Sequence, residues 1–147
     1  MKMLKEGKVD LVPQEHNMIV KVLLFIWQLP QNLLGLIVKL VTRAVKADRP
    51  FEHVSYLSKK RFGVALGDYM LFGVDIPNED DYNHEYGHHI QSTYLGPLYL
   101  LIIGLPSISF NIYDSCCHKD WRFEDRYAWY YNLPWEKWAD KLGGVKR

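Results

Sequence analysis

The chain has 147 residues, with 18 basic and 17 acidic side chains and a formal net charge of +1. At 48% apolar and 24% charged it reads as a folded chain with room for one core, which excludes disorder as its main state. The charge balance leaves no basic surplus for nucleic acid, and the only cysteines, Cys116 and Cys117, are adjacent, which excludes a disulfide framework and suits reduced thiols in a cytosolic setting.

Residues 1–10 are polar and charged and lack the form of a secretion signal. The mean hydropathy of -0.20 hides a strong segregation further on. From Ile19 to Val38 the one charge is Lys21. A single spanning helix would set Gln28, Pro30, Gln31 and Asn32 at the bilayer centre, where amides are costly unless buried in protein. The sequence predicts two shorter helices meeting near Pro30, the second running over about 31–46. Asn32, Lys39, Arg43 and Lys46 recur there at helical spacing and leave a wide apolar face. With Trp27 nearby, that pattern suits a helix lying in a membrane interface; the plainer alternative is a helix packed on its own domain.

Residues 61–74 carry the strand signal. Phe62, Val64 and Leu66 alternate with Gly63, Ala65 and Gly67, and Gly67-Asp68 offers a turn before Tyr69 to Phe72, which predicts a hairpin. Residues 75–83, with Pro77, Asn78 and four acids, read as a loop leading into a helix capped by Asn or Asp.

Positions 84–88 read His84-Glu85-Tyr86-Gly87-His88. On a helix, residues four apart share a face, so both imidazoles reach one metal ion. Glu85 is turned by about 100° from His84, within reach of a water on that ion. Zinc suits two nitrogens and a carboxylate with one position open. It brings the pKa of water toward 7, and a glutamate can take the proton as the water attacks a carbonyl. His89 points away from His88 and is not expected to be a ligand.

From Ile90 to Tyr113 there are 24 residues without a formal charge. Breaks at Gly96-Pro97 and Gly104-Leu105-Pro106 predict a short buried or membrane-dipping helix over about 98–104. His118, beside the cysteines, lacks a spaced ligand pair and reads as part of a loop rather than a second metal site. His118, Tyr130 and Tyr131 are candidates for stabilising an oxyanion. The aromatic residues of 110–138 suit a core or an interfacial belt.

Two histidines need a third protein ligand. The metzincin extension would require a glycine and a histidine where Gln91 and Tyr94 stand, so that class is excluded. Two glutamates remain downstream. Glu124 has Arg122 and Arg126 within one turn and reads as a solvated helix face. Glu136 follows Pro134, which can open a helix, and sits between Trp135 and Trp138 without a charged partner, where a metal is a fitting one. Asp140, one turn on, is placed to accept the outer N–H of a ligand histidine, and Gly143-Gly144 ends that helix.

HEYGH, followed 48 residues after His88 by Glu136-Lys137-Trp138-Ala139-Asp140, resembles the HExxH plus ExxAD arrangement of the gluzincin metallopeptidases, among them the HtpX-type and BlaR-type membrane proteins. A nearer likeness is to small bacterial proteins and toxin-associated domains that carry HEYGHxxQS, LGPLYL and GLPS. Here those are His84 to His88 with Gln91-Ser92, Leu95 to Leu100, and Gly104 to Ser107. The resemblance covers residues 62–144. It implies His84, His88 and Glu136 as ligands and Glu85 as the base.

The expected fold is α+β, a zincin-like minimal domain, mostly helical with a small hairpin beside the metal-binding helix. Residues 1–50 are expected to form an amphipathic, apolar N-terminal helical segment associated with a membrane, and 51–147 the zincin-like metal-binding domain, in one compact unit with it. The expected function is a zinc-dependent metallopeptidase with one Zn2+ per chain and a peptide or protein substrate. It is associated with membrane lipid, with the site on the cytoplasmic side and no nucleic acid partner. The alternatives are a catalytically silent membrane-associated zinc module and a toxin-associated processing domain.

Overall fold

The computed structural model describes residues 17–46, 55–58, 62–73 and 78–147. The reading of residues 1–10, the boundary near residue 50, the ends of the predicted strand region at Arg61 and Val74, and Asp75 to Pro77 of the predicted loop lie outside them.

Asn17 caps α1 (Met18–Trp27), its side chain accepting from the Val20 N–H at 2.9 Å. Gln28 ends that helix, and α2 (Leu29–Thr42) opens with Pro30 in its first turn, bent by 84° from α1. This is the predicted pair. The three amides at the bend are buried in protein: Gln28, Gln31 and Asn32 are 1%, 0% and 2% exposed. One boundary needs correcting. α2 stops at Thr42 rather than near Lys46, because Arg43 turns left-handed (φ 53°) and Val45–Lys46 leave as strand β1.

Among the described residues the sheet has four strands in the order β1-β2-β4-β3: β1, β2 (Ser55–Leu57), β4 (Tyr69–Phe72) and β3 (Gly63–Leu66). β3 and β4 are the predicted hairpin, antiparallel about Gly67-Asp68. β2 adds parallel to β4, and β1 antiparallel to β2. Strand alternation sends Ala65, Met70 and Phe72 to one face, against Tyr82 and Tyr86, and Leu71 to the other, with Ala44, Tyr56 and Val38 of α2. Leu71 is fully buried and Met70 nearly so. Burying one such side chain contributes about 1.5–3 kcal/mol.

Helix α3 (Glu79–Leu95) is capped by the Asn78 side chain, which accepts from the Asp81 N–H at 2.7 Å. Residues 79–83, predicted as loop, are therefore helix: Glu79, Asp80 and Asp81 stabilise its positive N-terminal end. Gly96 ends α3 with φ 51°, a conformation that side chains disfavour. A Cβ there would overlap the indole of Trp27, whose Nε1 donates to the Thr93 carbonyl at 3.1 Å. Gln31 Nε2 donates to the Gly96 carbonyl at 2.6 Å, and Ser92 Oγ to Gln28 Oε1 at 2.6 Å. The α1–α2 bend is thus docked on the end of α3 by hydrogen bonds.

A 3-10 turn, Gly96–Leu98, leads into a π-turn, Leu100–Gly104, that continues without interruption as α4 (Leu105–Cys117). Gly104-Leu105-Pro106 does not break the helix as the sequence predicts. The wider turn places Pro106 in the first turn of the following α segment, where its missing N–H costs little. The expected short helix over 98–104 is the opening of an 18-residue apolar helix, Leu100–Cys117, of which 11% is buried. It is long and apolar enough to cross a membrane. Two further helices close the chain, α5 (Phe123–Tyr131) and α6 (Pro134–Gly143), the latter opened by Pro134 and ended by a left-handed Gly144.

Candidate metal centre

Two glycines set the distance between α3 and α6. A Cβ at Gly87 would overlap the Ala139 carbonyl, and one at Gly143 would overlap the Asn83 carbonyl. The two helices therefore lie backbone to backbone, and the glycine inside HEYGH is what admits α6. This approach carries Glu136 and Asp140 to the histidines of α3.

His84 Nε2 and His88 Nε2 each lie 3.1 Å from the same oxygen, Glu136 Oε2. All three ligand atoms fall within 4.8 Å of one another, and the three residues are 4%, 7% and 1% exposed. Each ring is fixed from its other nitrogen. His84 Nδ1 donates to Asp140 Oδ1 at 2.7 Å, and Asp140 is itself held by Arg147 Nε at 3.1 Å. His88 Nδ1 lies 2.8 Å from Gln91 Oε1, while Gln91 Nε2 donates to the Trp135 carbonyl at 2.9 Å. That second bond orients the amide, so His88 Nδ1 is the donor. Ser107 Oγ donates to Glu136 Oε1 at 2.8 Å, which leaves Oε2 for the histidines.

The donor set tests whether a cation fits. With both Nδ1 atoms protonated, two nitrogen lone pairs and a carboxylate oxygen converge on one point in a buried site. Such a cluster needs a proton or a metal cation between its members. Zinc–nitrogen bonds of about 2.0–2.1 Å put tetrahedral ligand atoms about 3.3 Å apart. The two 3.1 Å separations are close to that edge.

The electrostatics point the same way. Burial disfavours a charged His84 ring, but the bonds to Asp140 and Glu136 outweigh it and hold this imidazole up at about 9. Burial pushes the Glu136 carboxyl up, yet the bonds from His84 and His88 prevail and keep it well below the usual carboxylate range. Glu85 is raised, chiefly by burial. Its Oε2 is buried and has no hydrogen-bond partner among the described residues.

A cavity of about 730 Å³ opens beside the cluster, between β3 on one side and the helix from Tyr99 to Ile112 on the other. His84, Glu85, His88 and Glu136 line it, as do Tyr130 and Tyr131. Tyr130 donates to the Ser107 carbonyl at 3.3 Å. The Tyr131 ring stands edge-on to His84, with the Arg147 guanidinium over it, and its hydroxyl makes no hydrogen bond among the described residues. Burial raises both hydroxyls, so they stay protonated at neutral pH.

The structure therefore brings together His84, Glu85, His88, Glu136, Asp140, Tyr130 and Tyr131. It does not bring His118, which is 3.1 Å from Asp114 and stacked on Trp121 outside the cavity. Glu124 is exposed; Arg122 pairs with Asp125, and Arg126 with Asp114. His89 is at 2.7 Å from the Gly67 carbonyl, away from the cluster. Sequence reasoning missed the roles of Gln91, Ser107 and Arg147. For Gln91 the signal is its place three residues after His88, on the same helix face. Compared with family models, with curated proteins and with solved structures, the chain matches none.

Proposed function

We propose that this chain is a zinc-dependent metallopeptidase of gluzincin plan that hydrolyses peptide bonds at a membrane. The observation that carries the reading is the convergence of His84, His88 and Glu136 on one point beside Glu85, a buried carboxylate with one oxygen unpartnered among the described residues. Two nitrogens and a carboxylate, with no thiolate, are a catalytic rather than a structural zinc set. A zinc ion held by these three residues supplies Lewis acidity toward water and carbonyl oxygen.

The rest falls to the chain's own groups. Glu85, in a low-dielectric setting that raises its pKa, takes the proton of the attacking water and passes it to the leaving amine. Tyr131 donates its uncommitted hydroxyl to the oxyanion; Tyr130 is engaged with Ser107. Asp140 and Gln91 hold the two imidazoles with their Nε2 atoms aimed inward. β3 is the outer strand of its sheet among the described residues and lines the cavity, so an extended peptide can add to it.

Membrane association is supported by the helix over Leu100–Cys117 and by the exposed apolar residues of α1 and α2, with Lys39, Arg43 and Lys46 near the end of that segment. The free, exposed thiols of Cys116 and Cys117 suit a site on the cytoplasmic side.

The test is a screen of peptide substrates with the zinc-loaded chain, with and without a chelator, beside Glu85→Gln. Hydrolysis is expected to stop with the chelator and in Glu85→Gln, while the variant keeps its zinc. If zinc falls in proportion to activity in Glu85→Gln, Glu85 is a ligand and its assignment as base is wrong.

A further inference from the structure

The bonding parity of the hairpin decides what its outer edge offers. In a two-residue hairpin the residues flanking the turn, here Leu66 and Tyr69, form a hydrogen-bonded pair, and bonded pairs then alternate along the ladder. Val64 with Leu71 is the next such pair, and Phe62 with Gly73 the one after; the Gly73 N–H does donate to the Phe62 carbonyl. The Phe72 carbonyl turns the other way and accepts from Ser58, past the end of β2. Gly63 and Ala65 therefore direct their N–H and C=O groups outward, and both line the cavity.

One of those four groups is taken. Tyr99, 4% exposed, donates its hydroxyl to the Ala65 carbonyl at 3.0 Å. The N–H and C=O of Gly63 and the N–H of Ala65 have no partner among the described residues. Gly63 is also where the edge meets the chemistry, since a Cβ there would come within 2.7 Å of Glu85 Oε1. The open edge thus runs from Glu85 at Gly63 to Tyr99 at Ala65, about 7 Å at strand rise.

We propose that Tyr99 is the stop of this edge: an extended peptide laid along β3 bonds to Gly63 and to the Ala65 N–H, and main-chain recognition on that side ends after about two residues. This rests on the peptidase reading and deepens it. The walls at that end are Leu34, Leu66, Leu100 and Ile103, so the substrate side chain that reaches them is apolar.

The experiment uses the zinc-loaded full chain and two series of hydroxamate peptides, whose chelating group pins the register at the metal. One series grows from one to four residues on the N-terminal side of the hydroxamate, the other on the C-terminal side, and affinity is read by calorimetry. In one series each residue that makes a main-chain bond should tighten binding by about 2- to 10-fold, with no gain after the second. Tyr99→Leu frees the Ala65 carbonyl, so it should enlarge the gain at the peptide residue that pairs with Ala65, raising the plateau of that series, and leave the other unchanged. Tyr99→Phe, which keeps the ring, replaces it if the Leu variant fails to hold zinc. Continued gain through the fourth residue in both series of the wild type overturns the stop while leaving the peptidase reading intact, as does a plateau that neither variant moves. Zinc-loaded protein that binds neither series overturns both.

Discussion

The contact between α3 and α6 and the outer faces of α1, α2 and α4 treat polarity in opposite ways. Around the contact of α3 with α6, polar groups are buried and, apart from Glu85 Oε2 and Trp135 Nε1, partnered among the described residues: His84 with Asp140, His88 with Gln91, Glu136 with Ser107, Asp140 with Arg147. On the other three helices, apolar side chains face outward: Ile19 at 72%, Val41 at 70%, Ile108 at 61%. A buried polar network is worth having only when its geometry is unique, because each lost partner leaves an unsatisfied group in low dielectric. An apolar surface asks for no geometry, only for a non-aqueous neighbour. The bend at Gln28 joins the two regimes, with Gln28 and Gln31 turned onto the end of α3, Asn32 onto the hairpin turn at Asp68, and the flanking Trp27 and Leu29 about half exposed.

The largest expected effect tests the apolar side. The 147-residue chain prepared in detergent and mixed with phosphatidylcholine–phosphatidylglycerol vesicles should float with them almost completely. A monomer that stays in the soluble fraction without detergent and does not float would make those faces something other than lipid-seeking.

On the polar side the effects should fall off with distance from the cluster's centre. Glu136→Gln keeps the size but removes the charge between the two histidines, and zinc affinity should drop by more than about 100-fold, with stability falling as the metal is lost. Asp140→Asn and Gln91→Leu remove only what orients the rings, so each should weaken zinc by about 10–100-fold. Zinc titration that finds either at wild-type affinity would mean that the imidazoles are held by packing alone.

The smallest effect belongs to the other glutamate. Glu124→Gln should change stability by no more than about 0.5 kcal/mol and leave zinc binding unaltered, as a substitution on a wet surface does. Loss of zinc there, with wild-type affinity in Glu136→Gln, would move the site to the aromatic segment of α5.

What the sequence discloses follows the same division. His84 and His88 are legible because a four-residue spacing is a geometric statement about a helix. Glu136 is legible because Pro134 starts a new helix and the flanking tryptophans leave a carboxylate without a partner. The hairpin shows in its alternation and its Gly67-Asp68 turn. β1 and β2, at two and three residues, are too short to carry a period. The continuity of α4 through Pro106 is invisible because a π-turn is a change of hydrogen-bond register, not of residue type. Ser107 lies 29 residues from Glu136, so its bond depends on how α4 seats against α6. Nothing local to Ser107 announces that.

Elemental analysis of the 147-residue chain, purified without chelators and then dialysed after zinc addition, tests the central claim most directly. The geometry of His84, His88 and Glu136 predicts about one zinc per chain, retained through dialysis. A chain that remains metal-free after zinc is supplied would contradict it.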